Sequence, residues 1–247
     1  MQIIEVKDYE EMSLKAAQHI LNKVKNKNKL VLGLATGGTP QGLYSHLAWD
    51  HQKNNTSYTN VTSFNLDEYI GIPPSDPTSY FYYMYETFFS HIDHVKENAH
   101  IPNGLAANLD EECKRYEHLI QVAGGIDLQV LGIGRNGHIG FNEPGTSFES
   151  PTHVVELTNS TRQANAKYFH TIEKVPTHAI TMGIKTILKS REILLLASGE
   201  SKQDALVHLI TGEITEQFPA SALKHHSNTT VIADEVALHG VKQLHQR

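Results

Sequence analysis

At 247 residues, with 39% hydrophobic and 19% charged side chains, the chain can bury a large core and has the composition of an ordinary soluble globular protein. A net charge of −6 argues against a nucleic-acid partner, and no apolar run approaches a membrane span or follows a basic leader, so neither membrane attachment nor export is expected. The single cysteine, Cys113, excludes an internal disulfide framework and fits a cytoplasmic protein, while the sixteen histidines are scattered without metal-ligand spacing, so no metal is expected.

Residues 3–6 read as a short strand. Asp8 then caps a helix reaching about residue 25, with Met12, Ala16, Ala17, Ile20, Leu21 and Val24 as its apolar stripe. A polar turn leads to an apolar strand over 30–34, followed by Ala35-Thr36-Gly37-Gly38-Thr39-Pro40 and a helix ending near Trp49. A strand over 61–64 exits through Asn65-Leu66-Asp67-Glu68-Tyr69 into a Gly/Pro loop. Next come an aromatic-rich helix over 80–91 and a helix from about 108 to 123. An apolar strand over 126–131 feeds the Gly-rich stretch 131–145. Beyond it, 153–157 reads as extended, 160–169 as helix, 179–182 as strand and the segment up to about 189 as a short helix. Residues 193–197 form a strand, Ser198 to Lys202 a turn, and a helix runs to about 210. A last strand over 229–233 precedes a terminal helix. Alternating strands and helices predict a mostly parallel sheet covered on both faces, in one domain spanning 1–247.

Chemistry concentrates at the exits of these strands. Thr36, Gly37, Gly38 and Thr39, between a strand and a helix start, make a candidate phosphate cradle of amides and hydroxyls, or else a plain tight turn. The lysine of a nucleotide P-loop is missing, which argues against ATP or GTP. Arg162 and Lys202 lie near helix starts, where a cation opposes the helix dipole, so each is either a ligand of a bound anion or a solvated surface charge. Asp67 or Glu68 at a strand exit suits a general base, or the cap of the following turn. In the stretch 131–145, His138 stands between Asn136 and Glu143, neighbours able to set its tautomer and orientation. Gly132, Gly134 and Gly137 match the dinucleotide fingerprint, with Glu156 at the ribose spacing. However, Gly140, Pro144 and Gly145 break the helix that fingerprint requires, so no nicotinamide cofactor is expected.

Taken together, these motifs make the chain resemble the glucosamine-6-phosphate deaminase family, within a wider group that includes the 6-phosphogluconolactonases. The resemblance rests on residues 35–40, 64–69 and 137–144, on Thr161-Arg162 with Ala164-Asn165, and on Gly199 with Lys202, all in family order. It implies a Rossmann-like three-layer α/β/α sandwich. The implied activity converts glucosamine 6-phosphate and water to fructose 6-phosphate and ammonia in amino-sugar catabolism, without a cofactor. His138 is implied to move the proton that opens the pyranose ring, Asp67 to shuttle a proton from carbon 2 to carbon 1 through an enolamine, and Glu143 to orient His138. A lid is implied over about 151–182, delivering Arg162.

Two departures from the family pattern matter. Asn136 replaces a carboxylate found beside the histidine in some members, so His138 is expected to have a lower pKa than in those members. His153 and Val155 stand where allosteric hexameric members carry cations, and the chain ends soon after its last strand, so a monomer or small homo-oligomer is expected. A lactonase would need only water activation by His138, without the Asp67 exit. A non-catalytic sugar-phosphate regulator would be expected to have lost Asp67 or His138.

Overall fold

The computed structural model describes residues 1–169 and 171–245; position 170, inside the expected lid, and the last two positions of the expected 1–247 domain lie outside the described residues. In chain order, β1 (Gln2–Val6) leads to α1 (Tyr9–Asn26), capped by Asp8, whose side chain accepts from the Glu11 amide. The predicted stripe is buried through Met12, Ala16, Ala17 and Ile20. β2 (Leu30–Leu34) is buried along its whole length, as an apolar run without alternation requires in a sheet covered on both faces. α2 (Gln41–Asn54) continues past the expected end at Trp49 because nothing breaks it before Asn55, which takes the left-handed conformation (φ 55°) and returns its amide to the His51 carbonyl.

β3 (Val61–Asn65) and β4 (Asp67–Tyr69) follow in immediate succession. α3 (Tyr80–Thr87) stops short of His91, because Phe88 leaves helical geometry to pack its ring against Tyr44 and Tyr58. A 3-10 turn, Phe89–His91, completes the segment. The two-residue β5 (Ala99–His100) precedes α4 (Leu109–Val122), β6 (Leu128–Gly132), β7 (His153–Glu156), α5 (Asn159–Phe169), β8 (His178–Thr181) and α6 (Ile184–Leu188). β9 (Ile193–Ala197), α7 (Gln203–Thr211), β10 (Thr229–Asp234) and α8 (Glu235–His245) close the chain.

The main sheet has the order β1-β10-β9-β6-β2-β3-β5 and every pairing within it is parallel. One face packs against α1, α2 and α3 through a core including Met12, Leu43 and Met84. The other packs against α4, α6, α7 and α8 through Tyr116, Ile187, Leu206 and Leu238. This is a three-layer, Rossmann-like α/β/α sandwich. From β2 the connection runs outward to β3, whereas from β6 it runs the opposite way to β9. The switch point therefore lies between the C-terminal ends of β2 and β6, where open α/β sheets hold their ligands.

A second sheet, β4-β8-β7, is antiparallel and was not legible as such in the chain. Leu66 is the pivot between the sheets: its amide donates to Leu34 on the main sheet and its carbonyl accepts from Met182 beyond β8. α5 sits over this small sheet on a separate cluster of Tyr69, Phe141, Leu157, Phe169, Val175 and Ala179. Among the described residues no helix is long and apolar enough to cross a membrane.

Candidate active site

The exits of β2, β3, β6 and β9 enclose a cleft of about 850 Å³ at the switch point, with α5 as its further wall. A second cavity of about 1030 Å³ lies on α4 and the 151–154 segment and contains none of these strand exits.

The β2 exit is held from outside, since Tyr83 donates to the Gly37 carbonyl (2.6 Å) and Tyr9 to the Gly38 carbonyl (3.0 Å). Thr36, Gly37, Gly38 and Thr39 all line the cleft, and Pro40, at the start of α2, provides no side-chain cap. The Gly42 amide of that helix start donates to the Tyr9 hydroxyl (2.8 Å), so the groups placed to meet an anion are those of the 36–39 turn, which is anchored from behind through its carbonyls.

The choice between Asp67 and Glu68 is resolved by their partners. Glu68 accepts from three backbone amides, those of Tyr69 (2.9 Å), Tyr80 (3.0 Å) and Phe81 (2.9 Å), and so is committed to the N-terminus of α3. Asp67 is buried at the cleft wall, opposite Thr181 in the β4–β8 register. Burial, reinforced by the neighbouring Glu68 charge, raises its pKa to about 8, so this carboxylate is poised to hold a proton near neutral pH.

The stretch after β6 turns tightly instead of opening a helix: the Gly137 amide bonds the Gly134 carbonyl and the Gly134 amide bonds the His138 carbonyl. The imidazole of His138 lies so close over Gly134 that a Cβ there would fall 2.2 Å from the ring. Gly140, at φ +57°, brings the same loop against the base, because a Cβ on it would lie 3.4 Å from Asp67 Oδ2.

The polarity of the His138 network follows from its donors. Asn136 Nδ2 donates to Glu143 Oε2 (2.6 Å), which turns Asn136 Oδ1 toward His138 Nδ1 at 2.7 Å. An amide oxygen only accepts, so Nδ1 carries the proton and Nε2 is left as the basic nitrogen. Burial lowers the His138 pKa; Glu143 opposes that shift and Lys202 adds to it. This lowering is relative to a free imidazole, and desolvation is its largest cause.

Lys202 lines the cleft from the β9 exit, its ammonium donating to the Ile133 carbonyl (2.7 Å). Residues 7–232 match the description of the glucosamine-6-phosphate isomerase/6-phosphogluconolactonase family. The chain belongs to this family. It is 60% identical over 241 residues to a glucosamine-6-phosphate deaminase of Halalkalibacterium halodurans, covering 98% of each chain, and 54% identical over 245 residues to that of Oceanobacillus iheyensis, covering 99% of this chain and 98% of the relative. Among solved structures it resembles a monomeric glucosamine-6-phosphate deaminase with a TM-score of 0.96 and 54% identity, over 97% of this chain and all of the other.

Within this family member, Arg162 is not brought to the cleft. Its guanidinium donates instead to the carbonyls of Ile172 (3.0 Å) and Val175 (3.2 Å), closing the connection after α5. The reason is helical phase: the cleft-lining positions of α5, from Ser160 to Tyr168, centre on Ala164, and position 162 is turned about 160° from it. The α5 cation that does line the cleft is Lys167, and Arg135 joins it from the loop after β6. Sequence reasoning passed over both. Lys167 was findable from its place about 60° from Ala164, within the cleft-facing arc of α5; Arg135, in an irregular loop, carries no such phase.

Proposed function

We propose that the chain converts glucosamine 6-phosphate and water to fructose 6-phosphate and ammonia, a step of amino-sugar catabolism. The observation that carries this reading is the convergence of two distinct proton-transfer groups, Asp67 and His138 Nε2, on one cleft that also holds an anion cradle. A lactonase needs only one such group, and a non-catalytic regulator needs neither.

In this reading Thr36, Gly37, Gly38, Thr39 and Lys202 hold the phosphate. His138 takes the anomeric hydroxyl proton and returns it to the ring oxygen, opening the pyranose. Asp67 removes the carbon 2 proton to give an enolamine and delivers it to carbon 1, leaving an imine at carbon 2. Water adds there and ammonia departs. Glu143 and Asn136 keep His138 in the tautomer this requires.

The reading takes residues 1–247 as one catalytic domain in the cytoplasm, with 151–182 as a lid; the separate small cluster beneath α5 supports that segment moving apart from the main cores. It takes the protein as a monomer, supported by the monomeric relative and by His153 and Val155 in place of cations. No cofactor enters the chemistry.

Ammonia and ketose phosphate released in equal amounts from glucosamine 6-phosphate, along a hyperbolic substrate curve, are the expected results. Binding without turnover would overturn the reading. Assaying the galactosamine epimer alongside ranks the two substrates. Lys167→Ala is expected to raise KM about tenfold with little change in kcat, whereas Arg162→Ala acts mainly on thermal stability; steady-state kinetics and unfolding curves on both variants check the contrast.

A further inference from the structure

Glu143 is shared between two parts of the molecule, one on each carboxylate oxygen. Oε2 accepts from Asn136 Nδ2 and so holds the arm that ends on His138. Oε1 accepts from the hydroxyl of Thr161 in the first turn of α5. Thr158, just before that helix, also reaches Oε1, but at 3.3 Å, and its Oγ1 lies closer to Thr161 Oγ1 (3.1 Å) and Ser160 Oγ (3.0 Å). Thr158 Oγ1 further accepts the Thr161 amide at 3.2 Å, which fixes it as the local cap of α5.

The proton count then sets a direction. A hydroxyl has a single proton to give, and a carboxylate has none. With Thr158 turned toward Thr161, the Thr161 proton goes to Glu143, and Thr161 is nearly fully buried at that contact. Two arms of hydrogen bonds therefore run inward to one carboxylate: Thr158 to Thr161 to Oε1, and His138 to Asn136 to Oε2. His138 Nδ1 itself is 3.8 Å from Oε2, within reach of its charge.

α5 is also the element that lines the cleft with Gln163, Asn165, Lys167 and Tyr168. We propose that Thr161 is a positioning residue for the ring-opening step: its hydroxyl seats α5 on Glu143, so that the helix contacting the sugar phosphate and the imidazole acting on the sugar ring share one anchor. Ordering α5 over substrate then fixes the Glu143 carboxylate, and through Asn136 the plane and tautomer of His138. Nothing in the packing alone asks for a hydroxyl at 161, since a valine has the same shape.

This rests on the deaminase reading, which wild-type turnover of glucosamine 6-phosphate tests by itself; the following comparison tests only the coupling. Thr161→Val is expected to lower kcat about tenfold while KM changes less than about threefold, and Thr161→Ser to restore most of kcat. Glu143→Gln alone is expected to cost about a hundredfold. On that background Thr161→Val should cost less than about twofold more, because the hydroxyl acts through the carboxylate. Equal losses from Thr161→Val in the presence and absence of the Glu143 carboxylate would overturn the proposal, as would a serine variant no better than the valine. Should Thr161→Val not fold, Thr161→Ala removes the same hydroxyl and enters the same cycle.

Discussion

Asp67→Asn is expected to lower kcat at least a thousandfold and, in the same molecule, to raise stability at neutral and mildly alkaline pH. Both results follow from one placement. The only proton acceptor proposed for carbon 2 is this carboxylate, and an amide of the same shape cannot take the proton, so the loss belongs at the upper end of what general-base catalysis contributes. The stability effect comes from burial. In the unfolded chain the group ionises at an ordinary carboxylate pKa, whereas in the folded protein burial and the Glu68 charge hold it protonated up to about 8. Between those values the unfolded state binds fewer protons than the folded one, so wild-type stability is lost as pH rises through that window. Asparagine does not ionise and escapes the loss. The stability gain of the variant should therefore be absent near pH 4, grow toward pH 8 and level off above it, rising by roughly 1.4 kcal/mol per pH step of one within the window. Denaturant unfolding of both proteins at pH 4, 6 and 8 measures this; a gain independent of pH would show that Asp67 is not held protonated. In the wild type, kcat/KM should also climb with pH toward about 8, because that ratio follows the ionisation of free enzyme.

Much of this site was legible in the chain itself. Apolar runs at 30–34 and 193–197 can be satisfied only inside a sheet covered on both sides, and the polar residues just after such runs must collect at one sheet edge. That logic brings Thr36, Asp67, His138 and Lys202 together. It fails where geometry depends on distant pairing. β4 is three residues long and reads Asp-Glu-Tyr, with no apolar alternation, because its strand character comes from hydrogen bonds to β8 far along the chain. The same limit left Asp67 and Glu68 interchangeable: only the path of α3 past the Glu68 carboxylate separates helix cap from base. For Arg162 the residue type was informative and the helix phase was not, since one step around α5 decides between the cleft and the carbonyls of Ile172 and Val175. The direction of the His138–Asn136–Glu143 chain needed the second partner of the Asn136 amide, a contact that spacing alone does not orient.

His138→Gln is expected to reduce turnover of the cyclic sugar phosphate by about a hundred- to a thousandfold while leaving turnover of an analogue fixed in the open-chain aldehyde form within about threefold of wild type. Glutamine can keep a hydrogen bond to Asn136 but has no basic nitrogen to replace Nε2, so it removes the proton transfer and spares the network. The cyclic substrate opens slowly in water without help, which sets a floor under the loss; the carbon 2 proton has no such route, and Asp67→Asn should stay impaired on both substrates. The pair thus divides the cleft by step: one variant rescued by an open chain, the other not. The low pKa of His138 belongs to the same division. A buried imidazole kept neutral by desolvation and by the Lys202 charge has its acceptor nitrogen free throughout the range in which Asp67 ionises, so the rise in rate above neutrality follows Asp67 alone. Equal loss on the cyclic and open substrates would move His138 out of ring opening and into the proton transfer at carbon.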